Sequence, residues 1–85
     1  MRLLGRNRLG SLYDKSGTVR KWTASWAAEV MSATWACPAD VVLQFPNSKQ
    51  ENHIFVFPVI DCTLSIALLI AFPEQIAVIT AVRAA

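Results

Sequence analysis

The chain reads as an α+β domain of outline βααβββ, two helices packed on a small antiparallel sheet, and three observations predict it. Apolar residues recur every three or four positions as far as Ala33, and alternate every second position from Ile54 onward. At 85 residues the chain has room for one core, so residues 1–85 form a single domain.

After an apolar start at Leu3 and Leu4, Asn7 is a fitting N-cap for a short helix with Leu9, Leu12 and Tyr13 on one face. Gly10 weakens that helix and Ser16-Gly17 ends it. Thr18 then caps a longer helix in which Val19, Trp22, Trp26, Val30 and Ala33 form an apolar stripe. Pro38 closes it, since the residue before a proline is steered away from helical geometry, and opens a single turn through Leu43. Phe45-Pro46-Asn47-Ser48 reads as a loop. His53–Val59 is the first strand of a meander and Asp61-Cys62 its turn. Leu64, Ile66, Leu68, Ile70 and Phe72 mark the second strand, Pro73-Glu74 a tight turn, and Ile76, Val78, Thr80 and Val82 the third. Both faces of the second strand are apolar or small, so its far face calls for a cover: the helices or another molecule.

Hydrophobic residues make up 54% of the chain and charged residues 16%, against about 45–50% and about 25% in soluble domains. That excludes a disordered tail. The most apolar segment runs without a charge from Cys62 to Pro73, short of the roughly 18 residues a spanning helix needs. Arg6 and Arg8 interrupt any leader-like apolar run, so a cytoplasmic location is expected. The excess of apolar residues then means a dense core or a surface that a partner covers.

The charge is lopsided. Arg2, Arg6, Arg8, Lys15, Arg20 and Lys21 face only Asp14 within residues 1–21, whereas Lys49 and Arg83 are outnumbered by five carboxylates thereafter. The six N-terminal cations are the candidate partner or nucleic-acid surface. Cys37 and Cys62 form no CxxC pair, and His53 is the sole histidine with no second ligand at metal spacing, so neither a metal nor a cofactor is expected. The cysteines are expected as buried thiols. Trp22, Trp26 and Trp35 could stack on bases, but their helical spacing reads as core. There is no glycine-rich phosphate loop and no serine-triad signature.

One resemblance covers nearly the whole chain. Arg2-Leu3-Leu4-Gly5, Leu9 to Tyr13, Trp26-Ala27-Ala28-Glu29-Val30 and the signature Ala33-x-Trp35-x-x-Pro38-x-Asp40-Val41 resemble the HigB-like toxins of the RelE-like group. Phe45-Pro46-Asn47-Ser48, Val56-Phe57, Phe72, Gln75 and Ile79 continue it. The resemblance implies a RelE-like fold and an endoribonuclease that cuts messenger RNA on the ribosome and is restrained by an antitoxin. The chemistry it implies is missing. After the first meander strand such toxins carry Asn-x-x-Gly-Asn-Lys-Tyr-Arg, whose lysine and arginine serve the scissile phosphate; the matching stretch here is Pro58–Ser65, with Thr63 for the lysine and Ser65 for the arginine. Where such toxins end their last strand in Gly-Thr-His, this chain has Arg83-Ala84-Ala85. Each lost cation or proton-transfer group costs of order 10²-fold or more in rate. The remaining catalytic candidates are His53, the sole histidine, and Arg83.

Two functions compete. One is a toxin-like protein that has lost its nuclease chemistry and acts by binding a protein or nucleoprotein partner, as a phage or mobile-element inhibitor of a bacterial defence complex would (an anti-CRISPR-like role). The other is an active toxin of a type II module, an mRNA interferase. The corresponding partners are a defence complex, an antitoxin or the ribosome, with RNA contact through the basic patch, no membrane, and a homodimer through the apolar sheet as a third arrangement.

Overall fold

In the computed structural model, which describes Met1–Ala84, a five-stranded sheet carries the helices on one side. Strand β1 (Arg2–Leu4) is followed by Gly5 at φ +80°, where a Cβ would stand 2.7 Å from the carbonyl oxygen of Ile79. Only glycine fits so close to a neighbouring backbone in that left-handed conformation. The turn it makes launches a 3-10 segment (Arg6–Leu9) that runs into α1 (Gly10–Tyr13). Asn7 therefore lies inside the helical segment and is not its cap, a correction that follows from Gly5 turning the chain two residues earlier. Leu9 and Leu12 are completely buried.

Helix α2 (Gly17–Ser32) is capped by Ser16, whose Oγ accepts from the Val19 amide at 3.2 Å, and not by Thr18. Ser16 has the extended backbone that an N-cap requires, which leaves Thr18 already in the first turn. Val19, Trp26, Ala27 and Val30 are buried and Trp22 is half-buried. The α-ammonium of Met1 donates to the carbonyls of Met31 and Ala33 at the end of this helix. Past Ala33, Asp40 Oδ2 accepts from the Ala36 amide and shapes the entry to a third helix, α3 (Pro38–Gln44), longer than the single turn expected. Trp35 Nε1 donates to Gln44 Oε1, and Gln75 Nε2 donates to the Trp35 and Phe72 carbonyls, tying this corner to the turn between the last two strands.

The sheet comprises β1, β2 (Lys49–Glu51), β3 (Ile54–Pro58), β4 (Leu64–Ala71) and β5 (Ile76–Ala84), in the order β1-β5-β4-β3-β2. It is mixed and not wholly antiparallel, because β1 runs parallel to β5. The unforeseen β2 is polar and exposed throughout, so it carries no apolar alternation to betray it. It turns into β3 through Asn52, at φ +57°, and His53. Between β4 and β5 the register slips: Ala67 faces Ala81, Leu68 faces Ile79, and Thr80 is left over, its hydroxyl donating to the Ala67 carbonyl. An extra residue moves everything beyond it to the opposite face. Hence Ala77 and Ile79, then Val82, face the helices, in place of an unbroken Ile76-Val78-Thr80-Val82 series.

Edge-to-face rings run through the core from Trp26 to Phe57 (5.4 Å), Phe57 to Phe45 (5.2 Å) and Phe45 to Trp35 (6.0 Å). Trp26 and Trp35 are core residues, as their spacing suggested. The thiols are free, but Cys37 is exposed and Cys62 half-buried, so the expectation of two buried thiols is corrected; Cys37 stands at the exposed entry to α3. No helix among the described residues is long and apolar enough to cross a membrane. Ala85, last of the expected Arg83-Ala84-Ala85 terminus, lies outside the described residues.

Candidate functional site

The sheet face turned away from the helices is built by strand register. Phe55, Phe57, Ile66, Leu68 and Ile70 point into the core, so Ile54, Val56, Ser65, Ala67 and Leu69 face the other way. Cross-strand partners extend this open face: Val78 and Leu4 lie in the row of Leu69, Ala81 in the row of Ala67, and Arg83 in the row of Ser65. Leu4 is 38% exposed and Leu69 40%. Nothing within the described chain covers them.

Ser65 and Thr63 have opposite surroundings. Thr63 is exposed in the loop before β4, while Ser65 is only 2% exposed. Ala67 is equally buried and Val56 nearly so, although no helix packs over them. The same face carries an ion pair from Arg83 Nη2 to Glu51 Oε1, 3.0 Å long. Arg83 belongs to the end of the face where Ser65 pairs with Pro58, and Glu51 to the end where it pairs with Ile54; β4 and β3 lie between the two. Sheet twist draws such corners together, so the pair straps the face diagonally. Both side chains remain about half exposed, and such a pair contributes about 0–1 kcal/mol.

Of the sequence-derived catalytic candidates, Arg83 is engaged by Glu51 and so its charge is offset. His53 sits exposed in the turn between β2 and β3 with no hydrogen-bond partner among the described residues. The structure assembles no general acid, base and cation around either one. The described residues also hold no group of three or more His, Cys, Asp or Glu side chains close enough to hold a metal ion.

Arg2, Arg6, Arg8, Lys15, Arg20 and Lys21 are all exposed, and none has a carboxylate partner among the described residues. Arg2 shares the open face with Leu4, since Leu3 between them points into the core. The other five lie in the helical segments and turns. Arg6 Nη1 is 3.6 Å from Met31 Sδ near the end of α2, whereas Arg20 and Lys21 occupy its first turns, about 16 Å away along the axis. The cations thus form a broken belt: Arg6 meets the end of α2, Arg20 and Lys21 lie on its first turns, and Lys15 borders a hollow beside Asp61, Cys62 and Thr63. Glu51 escaped the sequence reading, because its role comes from pairing with a strand 32 residues further on. No protein-family model matches the chain, and no curated protein does either.

Proposed function

We propose that this protein is a HigB/RelE-like domain that has lost ribonuclease chemistry and acts by binding a protein or nucleoprotein partner, in the manner of a phage or mobile-element inhibitor of a bacterial defence complex. The observation that carries the reading is the state of the open sheet face. At the position answering to the family's arginine stands Ser65, 2% exposed, and the nearest strand cation, Arg83, is held by Glu51. A phosphate approaching the Ser65 end of this face would meet aliphatic side chains and a neutralised arginine, with Arg2 at the opposite end, where cleavage needs cations placed at the developing charge. Helices gathered on one side of a sheet whose first strand lies beside its last agree with a RelE-like arrangement. The unpaired basic belt supplies long-range attraction to an acidic or nucleoprotein partner.

The same belt favours the second reading, an mRNA interferase that reaches the ribosome through RNA. Induced expression in a bacterial host separates the two. The proposal expects unimpaired growth and intact ribosome-bound message, together with loss of target cleavage by a defence complex that the protein retains on a column. Cut message on ribosomes would overturn it in favour of the toxin.

A further inference from the structure

A cleft of about 400 Å³ opens between α2, the loop after α3 and the end of β3. This volume falls in the range of ligand sites, about 300–1,000 Å³. Trp22, Trp26 and Glu29 line it from the helix, at the three- and four-residue spacing that places them on one side. Pro46 and Asn47 come from the loop and Pro58 from the strand. Two features are unspent. Glu29 is the one charged residue lining the cleft, and no cation pairs with it among the described residues. Trp26, only 1% exposed, has an indole N–H with no acceptor among the described residues, a state that native cores rarely tolerate without cause.

A lone carboxylate beside aromatic and proline surfaces repels phosphates and suits a cation with a flat apolar body. We infer that the cleft is a docking site for an arginine-bearing segment of a protein partner. The guanidinium can lie on the Trp22 ring and direct its fork at Glu29, combining cation–π contact with a charge-assisted hydrogen bond. The Trp26 N–H, sealed beneath this wall, senses repacking as the cleft fills, and the Asn47 amide offers a polar contact from the rim. The cleft exceeds what one side chain fills, so a short peptide and not a free amino acid matches it. The inference is independent of whether the protein cuts RNA, because none of the six N-terminal cations lines the cleft.

Titration of the isotopically labelled protein with a blocked Gly-Arg-Pro tripeptide, followed by NMR, tests it. The expected result is saturable shifting of the Trp22 and Trp26 indole N–H signals, weakened about fivefold in Glu29→Gln and abolished when citrulline replaces the arginine of the peptide. Glu29 is exposed on the helix surface, so this variant keeps its fold, which the unshifted core signals verify. Equal binding of the citrulline peptide, equal binding by Glu29→Gln, or indole shifts produced by a mononucleotide and not by the arginine peptide would each overturn the inference.

Discussion

On the helix side of the sheet, Phe55, Phe57, Ile66, Leu68 and Ile79 are sealed almost completely, whereas on the other side Leu4 and Leu69 keep more than a third of their surface in water. Both sides are apolar, and they are made by the same strands in an alternation broken once, at Thr80. The difference teaches that the apolar excess of this chain has two origins. One part is a dense core, closed by α2 and its edge-to-face rings. The other is a face left uncovered, bridged only by a half-exposed ion pair.

The comparison breaks first at the core. Trp26→Ala should destabilise the protein by about 3–5 kcal/mol in urea unfolding, since it removes the ring packed on Phe57. An unchanged midpoint would mean that the helix side is not a sealed core. Next come two adjacent leucines on opposite faces. Leu68→Ala should cost about 2–5 kcal/mol and Leu69→Ala about 0.5 kcal/mol or less; equal losses would erase the distinction between the faces. Arg83→Gln removes the strap and should cost about 1 kcal/mol at most, a loss that shrinks in high salt. It should also speed amide exchange around Ser65 and Ala67; unaltered exchange would show that sheet curvature alone shields them. Smallest in stability is Arg6→Glu with Arg8→Glu, which should leave unfolding within about 0.5 kcal/mol. The same variant should flatten the salt dependence of binding to heparin, and an undiminished slope would remove these residues from the anion-attracting belt.

Much of the architecture was legible in the residues themselves. The stripe from Val19 to Ala33, the strand alternation after Ile54 and the turn at Pro73-Glu74 depend on neighbours within one element, where periodicity speaks directly. Strand β2 was hidden because Lys49, Gln50 and Glu51 are edge residues with no buried face, held by main-chain pairing alone. The slip at Thr80 was hidden because register is settled between strands and not within one. For the site, the absence of cations at Thr63 and Ser65 could be read from the sequence given the resemblance, but the burial of Ser65 could not. Ser65 stands on the outward side of the strand alternation, and its burial depends on cross-strand surroundings that local pattern cannot encode. Glu29 was written beside Trp22 and Trp26 at helical spacing, and only the loop after α3 turned that flank into a cleft.

The parallel pairing of β1 with β5 bears on the order in which the molecule can be made. Arg2 donates its amide to the Gln75 carbonyl and pairs in register with Ile76, so a nascent chain that has emerged only as far as Glu74 holds a first strand with nothing to join. Contacts so distant along the chain are slow to form. Until they do, Leu3 and Leu4 are bare, and the close approach of Gly5 to Ile79 has not occurred. The outer edge of the sheet is thus the earliest part synthesised and the last to lock, and during that interval a growing chain depends on its helices, and on whatever shields its leucines, to stay productive.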